Sequence, residues 1–244
     1  MNYLDLVRNR HSVRKFKDLK IEEDKKNKIK EKVKILNEKS KLNFQVFFDE
    51  PKCFKSKIFT YGSFKNANNY ISLVGEKSSD LGEKIGYFGQ NLLLFLEKLG
   101  LNTCWVGLTH GKSMAKINKN EKELCLIAFA YGDEEGNIHK SKDDHILSNI
   151  KEFDNEKNKI LLEFCKLAPT ALNQQKFYLE FKDDGSYNLT RKMGPYSKVD
   201  FGIIKYHSDL AEKYLGEKNE RYDSKFSNYW SKPFLYSCDD NIPD

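Results

Sequence analysis

The sequence lacks the features that mark a membrane protein, a disulfide-bonded secreted protein or a zinc protein. No stretch approaches the roughly 18 consecutive apolar residues of a membrane helix. The five cysteines are odd in number and none is spaced as Cys-x-x-Cys, so neither disulfides nor a zinc site is expected. The amphipathic N-terminus contains Asp5 and Arg8 and does not resemble a signal peptide. We therefore expect a cytoplasmic protein without metal or membrane partner.

The signatures of several common enzyme classes are also missing. Only three residues separate Gly107 from Gly111, whereas a P-loop needs four. No Gly-x-Gly-x-x-Gly fingerprint for a dinucleotide is present. No group of Ser, His and Asp resembles a nucleophilic triad, although a triad dispersed along the sequence stays possible.

Composition indicates a soluble chain with a heavily charged surface. Of its 244 residues, 39% are hydrophobic and 32% are charged, which suits one sizeable domain or two small ones. Much of the formal net charge of +6 lies in the lysine-rich stretch 17–41. Acidic residues alternate with these lysines and no aromatic side chains interleave them, so a solvated helix face is favoured over a nucleic-acid-binding arm.

Apolar periodicity predicts both helices and strands. Helices are expected at the N-terminus from residue 3, in the lysine-rich stretch, and at 81–99, 160–167 and 200–215. Strands are expected at 42–48, 69–74, 124–130, 177–181 and 187–190, with 124–130 in the centre of a sheet. The polar segment 137–155 is the best candidate for a linker, and the tail 217–244 is expected to lie on the surface.

Two of the predicted helices resemble each other. Asp80-Leu-Gly opens a helix that closes at Leu99-Gly100, and Asp200-Phe-Gly opens one that closes at Leu215-Gly216, about one turn shorter. This echo hints at an internal duplication. Chance could produce such an echo, so it does not decide the fold by itself.

Two polar motifs about 160 residues apart each look like half of one binding site. The first motif is Arg10-His-Ser-Val-Arg-Lys-Phe16, whose arginines and serine suit an anion such as phosphate. The second motif runs from Ala168 to Phe177, and its Thr, Asn and Gln suit a planar ring rich in amide groups. Together they suggest a phosphorylated heterocyclic cofactor, whereas the first motif alone would suit an ordinary solvated basic turn.

These motifs resemble those of the FMN-dependent nitroreductase family. The first is similar to the family's opening motif, and Ala168-Pro-Thr-Ala-Leu-Asn-Gln-Gln175 is similar to its A-P-S-x-x-N-x-Q-P-W motif. Leu99-Gly-Leu-Asn-Thr-Cys-Trp-Val-Gly107 is similar to the segment after its long central helix. The second motif follows that helix here, as in the branch of the family in which one chain imitates the usual dimer.

The resemblance implies an α+β fold: a central, largely antiparallel sheet flanked by helices and internally duplicated. It implies a single domain over 1–216 built from two interleaved halves, about 1–136 and 156–216. It implies one FMN per chain, NADH or NADPH as a transient donor, and a nitroaromatic or quinone-like acceptor in a ping-pong reaction through flavin N5. No catalytic side chain is needed, and the chain could act as a pseudo-dimeric monomer. The implied cofactor-binding residues are Arg10, His11, Ser12, Arg14, Val106, Gly107, Thr170, Asn173 and Gln175.

Within these roles, Arg10, His11 and Ser12 would hold the phosphate end, and Arg14 would stabilise negative charge at the N1–C2=O edge. The sequence departs from the family motifs at Lys176-Phe177, which replaces the usual Pro-Trp. This departure keeps two alternatives open: an FMN-binding protein without turnover, and a flavoenzyme of the same fold with different chemistry. The nucleic-acid-binding alternative depends on the lysine-rich stretch 17–41.

Overall fold

The computed structural model describes residues 2–55, 64–134, 136, 139–151 and 155–218. The helices are α1 Tyr3–Asn9, α2 Glu23–Ser40, α3 Leu81–Lys98, α4 Asp144–Leu147, α5 Glu156–Leu167 and α6 Ser197–Lys218. The strands are β1 Gln45–Phe47, β2 Tyr70–Glu76, β3 Asn102–Val106, β4 Glu121–Ala130, β5 Phe177–Phe181 and β6 Tyr187–Arg191. None of the helices in these ranges is long and apolar enough to cross a membrane.

A four-stranded antiparallel sheet forms the centre of the fold, in the strand order β1-β2-β4-β3. The apolar run at the end of β4 is fully buried from Cys125 to Ala130, as expected for a strand with neighbours on both edges and packing on both faces. β5 and β6 form a separate antiparallel hairpin. The predicted α+β class with a largely antiparallel sheet is therefore confirmed.

Helix α3 is the long central helix that the periodicity predicted. Its apolar residues are buried along its length, and Gly100 directly follows its C-cap with φ 76°, a left-handed conformation that glycine adopts without strain. The lysine-rich segment also forms the predicted helix, α2, whose buried Ile29, Val33 and Leu36 join the main core.

Helices α3 and α6 cross in backbone contact at two glycines. A Cβ atom on Gly86 would lie 2.0 Å from the carbonyl oxygen of Val199, and one on Gly202 would lie 2.0 Å from that of Glu83. Only glycine permits so close an approach at either position. This crossing joins the C-terminal helix to the part of the chain that carries the central sheet.

The second helix of the internal echo is longer than predicted. α6 begins at Ser197 rather than at Asp200 and has 22 residues, whereas α3 has 18; the expectation of a shorter helix is wrong. The turn begins earlier because the Asp200 N–H already bonds to the carbonyl of Tyr196 at 3.0 Å. The helix passes through Gly216 to Lys218, so the predicted tail boundary falls inside it, and residues 219–244 lie outside the described ranges.

The segment predicted as a linker, 137–155, packs against the C-terminal hairpin where it is described. It contains α4, and Ser148 forms a parallel bridge with Leu179. The Asn149 side chain bonds to both backbone groups of Phe181, at 2.7 and 2.8 Å. The sequence pattern missed these contacts because polar side chains supply them.

Candidate functional site

The first motif leaves helix α1 as an extended segment that runs beside β3. Arg10 is the C-cap of α1 and has an extended conformation. The Val13 N–H donates to the Thr103 carbonyl at 3.0 Å, and Ser12 forms a parallel bridge with Thr103. Because β3 ends at Val106, this pairing places the motif near Val106 and Gly107.

Arg10 is buried, and part of its guanidinium has no hydrogen-bond acceptor in the described part of the chain. Its exposed fraction is 4%, and Nε and one terminal nitrogen have no partner among the described residues. Burial lowers the pKa of Arg10, and the charge of Glu97 opposes that shift. Burial raises the pKa of Glu97 to about 7, although the hydrogen bond from the Thr103 hydroxyl and the charge of Arg10 both lower it. The guanidinium therefore lies in the interior with unused donors, which is costly.

The other members of the first motif are more exposed. The Nδ1 of His11 lies 2.9 Å from the Asn9 carbonyl, and His11 and Ser12 are half-buried. Arg14 is exposed, with its backbone N–H 3.4 Å from a carboxylate oxygen of Glu134. Burial raises the pKa of the Cys104 thiol, while the charges of Arg14 and Arg10 lower it. Both arginines therefore lie close enough to Cys104 for their charges to act on its thiol.

The second motif forms a strained loop between α5 and β5. Leu172, Asn173 and Gln175 all have positive φ, between 44° and 53°. Side chains hold the loop in this conformation: the Thr170 hydroxyl accepts from the Gln175 N–H at 3.0 Å, and the Asp200 carboxylate accepts from the Ala171 N–H at 2.9 Å. Positive φ in non-glycine residues persists where the surroundings impose it, and such strain is frequent at functional sites.

The amide side chains of this loop bind residues 140–142. The Asn173 Nδ2 donates to the Lys140 carbonyl at 2.6 Å. The Gln175 Oε1 accepts from the Lys142 N–H at 2.7 Å, and its Nε2 donates to the Lys166 carbonyl at 2.9 Å. In this structure both amides are therefore engaged by the protein itself.

Gly136 and the segment 139–142 bring the two motifs together. The Nε2 of His139 lies 3.4 Å from the Gln175 Nε2. Burial lowers the pKa of His139, and the charge of Arg10 lowers it further. A Cβ atom on Gly136 would lie 2.8 Å from the Cβ of His11. The first and second motifs, distant in sequence, therefore face each other across this segment.

Tyr196 covers the end of β3, where Val106 and Gly107 were predicted to face a cofactor. Its hydroxyl donates to the Gly107 carbonyl at 3.0 Å, and a Cβ on Gly107 would lie 2.9 Å from the tyrosine ring. Val106 is buried. The contact depends on glycine at 107 and on the turn Gly194-Pro195 that precedes Tyr196.

A series of hydrogen-bonded side chains connects four elements in the interior: β3, α3, α6 and α5. The Trp105 Nε1 donates to Gln90 at 3.0 Å, and the Gln90 Nε2 lies 2.9 Å from the Nε2 of His207. The His207 Nδ1 lies 2.8 Å from the Phe164 carbonyl. Because Nδ1 must donate to that carbonyl, Nε2 is the acceptor and the imidazole is neutral. Burial lowers the pKa of His207 to about 3, which agrees with this assignment.

Sequence reasoning missed several residues of this site. It did not single out Tyr196, His139 or Lys142, and it did not recognise Asp200 as a partner of the second motif. Only Gly194-Pro195 gave a local signal, since it marks a turn directly before Tyr196. The others make contacts across long sequence separations. Among the described residues, no group of three His, Cys, Asp or Glu side chains is placed to hold a metal ion.

Comparison with known proteins identifies the family. The family model described as "Putative TM nitroreductase" matches residues 2–212, nearly the whole chain. The chain belongs to this nitroreductase family. None of the curated proteins matches its sequence. The three motifs therefore lie in a nitroreductase fold, and the loop, β3 end and Arg10 described above are parts of it.

Solved structures agree with this fold. A "putative nitroreductase" from Thermotoga maritima is 24% identical, with a TM-score of 0.65, and the match covers 89% of this chain and 86% of that one. An FMN-dependent nitroreductase from Clostridium difficile is 22% identical over 62% of this chain and 97% of its own, with a TM-score of 0.45. A "putative nitroreductase" from Desulfovibrio desulfuricans, crystallised with FMN, is 19% identical over 63% of this chain and 99% of its own, with a TM-score of 0.47.

Proposed function

We propose that this nitroreductase-family protein binds one FMN and oxidises NADH or NADPH to reduce a small nitroaromatic or quinone-like acceptor. The observation that carries the proposal is the buried Arg10 guanidinium, whose Nε and one terminal nitrogen have no acceptor among the described residues. Arg10 opens the phosphate motif, and the second motif lies beside it across His139.

The residues at Arg10 fit a phosphate group. A phosphate has three oxygens that can accept hydrogen bonds, and it binds a guanidinium fork in two-point geometry. Such an anion would accept a hydrogen bond from one of the guanidinium nitrogens that have no partner among the described residues. Ser12 and His11 lie on the same extended segment and would complete the phosphate contacts. One phosphate site and no dinucleotide fingerprint favour FMN over FAD.

The remaining residues would position the flavin. Arg14 is exposed beside Cys104 and would approach the ring edge where negative charge collects on reduction. The backbone at Val106 and Gly107 would face the ring at N5, under the cover of Tyr196. Thr170, Asn173 and Gln175 would hold the strained loop and the segment 139–142 against the cofactor.

FMN, when bound, supplies the redox chemistry by taking two electrons from NADH or NADPH and passing them to the acceptor. The chain has to bind and orient the cofactor and leave one face open to both substrates in turn. It supplies no nucleophile or catalytic acid in this proposal, which matches the lack of such a group in the motifs.

We further propose that one chain supplies both sides of the site, as a pseudo-dimeric monomer. The order helix-helix-strand-strand-helix occurs twice, in α1, α2, β1, β2, α3 and again in α4, α5, β5, β6, α6. The last helices of the two series cross at glycines. Light scattering of the loaded protein should give a monomer with one FMN; two flavins per chain would contradict this architecture.

The absorption spectrum of freshly purified protein tests the cofactor directly. Oxidised-flavin bands are expected, and denaturation should release FMN in a ratio of one per chain. Flavin bands without NADH or NADPH oxidation would favour the FMN-binding protein without turnover. Released FAD, or no flavin bound after reconstitution with FMN, would refute the proposal.

A further inference from the structure

Three lysines gather beside the second motif without a carboxylate to balance them. The Lys192 N–H donates to the Lys176 carbonyl at 2.8 Å, one position beyond the β5–β6 pair Phe177–Arg191. Lys176 and Lys192 are therefore directly opposite, on one face of the hairpin, where Cβ atoms lie about 4.5–5.5 Å apart. Like charges at such positions are destabilising.

Lys142 brings the third charge to the same place. Its Nζ donates to the carbonyl of Gln174, two residues before Lys176, and its backbone N–H is held by Gln175. Burial lowers the pKa of Lys142, and the charges of Lys176 and Lys192 lower it further. We call Lys142, Lys176 and Lys192 the lysine cluster.

The cluster has no counterion among the described residues. No ion pair joins any of the three lysines to a carboxylate there, and Lys192 instead lies 3.3 Å from the Ile146 carbonyl and 5.1 Å from the centre of the Tyr178 ring. The Asp200 carboxylate on α6, which contacts the loop, is committed to Ala171 and Gln174. The positive charge is therefore available to a ligand.

Exposed apolar side chains flank the cluster. Leu172 in the loop is 93% exposed and Met193, next to Lys192, is 86% exposed. The Gly194 backbone between the loop and the hairpin packs against Gln174 and Lys176, since a Cβ there would lie 2.6 Å from the Gln174 Oε1. Apolar contact and positive charge thus occur on one rim of the site.

We infer that the lysine cluster binds an anionic group, phosphate or carboxylate, of a substrate while Leu172 and Met193 contact the apolar part of that substrate. This inference rests on the proposed function, because it places the cluster at the rim of the flavin site. Two sources could supply the anion: the 2′-phosphate that distinguishes NADPH from NADH, or an acidic substituent on the acceptor.

The experiment compares Lys176→Gln/Lys192→Gln with a matched control, Lys182→Gln, an exposed lysine at the other end of the same hairpin. Calorimetry at low salt measures the binding of NADPH, NADH, 4-nitrobenzoate and 4-nitrobenzyl alcohol to full-length protein. Steady-state kcat/KM is measured with the same pairs on FMN-loaded protein. Each pair differs in the charge under test.

The double variant should lose about three- to tenfold in affinity and kcat/KM for one charged partner, and the loss should disappear at high salt. Loss for NADPH alone identifies the donor as the source, and loss for nitrobenzoate alone identifies the acceptor. The affinity for NADH, which lacks the 2′-phosphate, and for 4-nitrobenzyl alcohol should not change, and the Lys182→Gln control should behave as the parent protein.

Equal effects on the two members of each pair, or no effect on either, would overturn the inference. So would a matching loss of FMN affinity, which would assign the cluster to the cofactor phosphate. If the protein binds no flavin, the proposed function fails by itself. The calorimetric arm then still decides whether the lysines bind the anions.

Discussion

Replacing Arg10 by methionine should separate a cofactor ligand from a structural residue, because the two roles predict opposite changes. Methionine fills a similar volume without polar groups. In flavin-free protein it removes buried N–H donors that have no acceptor among the described residues. Such donors lower the free energy of unfolding by about 1–3 kcal/mol. We therefore expect the free energy of unfolding to stay unchanged or to rise by up to about 2 kcal/mol.

The partner charge should not reverse that expectation. Glu97 loses the attraction of Arg10 in the variant, but its pKa is about 7 even with Arg10 present. The carboxyl can therefore take up a proton near neutral pH and avoid an uncompensated buried charge. Its hydrogen bond from Thr103 is unaffected.

FMN binding should change in the other direction. A hydrogen-bonded contact to a charged group contributes about 1.5–3 kcal/mol, so the FMN dissociation constant should rise about 10- to 150-fold. Urea unfolding of flavin-free protein gives the first quantity, and titration of flavin fluorescence gives the second.

Arg8→Met is the matched control for this prediction. The Arg8 side chain is 51% exposed and pairs with Glu163 at 2.6 Å. Its loss should change stability by less than about 1 kcal/mol and leave FMN affinity unaltered. If Arg10→Met instead destabilised flavin-free protein by more than about 3 kcal/mol while FMN bound normally, Arg10 would be a structural residue and the reasoning would be refuted.

Three other perturbations test separate parts of the account. Arg14→Met should leave FMN affinity nearly unchanged but lower the flavin reduction potential by about 10–20 mV, because an exposed cation would act on the charge of the reduced ring. Gly86→Ala should destabilise the protein by about 2–4 kcal/mol in urea unfolding, since its Cβ would meet the Val199 carbonyl at 2.0 Å. The control Gly216→Ala has open space around it and should be neutral or stabilising. Asp200→Asn should gain stability relative to the parent protein by up to about 3 kcal/mol between pH 4 and pH 8.

The sign of the last prediction follows from the pKa of Asp200. Burial raises that pKa to about 6 from 3.8, although two hydrogen bonds oppose the shift. The carboxyl therefore stabilises the fold below pH 4, and this contribution is lost as the pH rises through 6. Asparagine does not titrate, so the gap between variant and parent should widen with pH. A constant gap would show that Asp200 is not the group responsible.

The other two predictions have equally direct failures. An Arg14 variant that loses FMN affinity as strongly as the Arg10 variant would place both arginines on the phosphate. Gly86→Ala with unchanged stability would mean that α3 and α6 do not cross as closely as described.

Local patterns predicted most of the helices and strands, but they missed strand β3 and the short helix α4. The apolar stripe of α3 and the glycine after it predict an amphipathic helix and its end, because both depend on residues within a few positions. The continuous apolar run 124–130 likewise predicts a strand buried on both faces, and β4 is central in the sheet. The resemblance of the three motifs predicted the family, which the match over residues 2–212 confirms.

The boundaries of α6 could not be predicted from the local sequence alone. Asp200 has the sequence context of an N-cap, yet its carboxylate bonds to the Ala171 N–H in a different loop. The Asp200 side chain, which the sequence pattern placed at the start of the helix, therefore forms its hydrogen bond with a distant residue instead. The start at Ser197 depends on the backbone of Tyr196 and Gly194.

The sequence by itself determined which residues could form the site: an arginine-rich motif after the first helix, and a Thr, Asn and Gln loop before a strand. It did not determine their environments. Arg10 and Arg14 are four positions apart in one motif, but only the tertiary structure, in which the extended segment after α1 pairs with β3, buries the first and leaves the second exposed. Only the tertiary structure placed His139 between the two motifs, because contacts across long sequence separations leave no periodic signal in the chain.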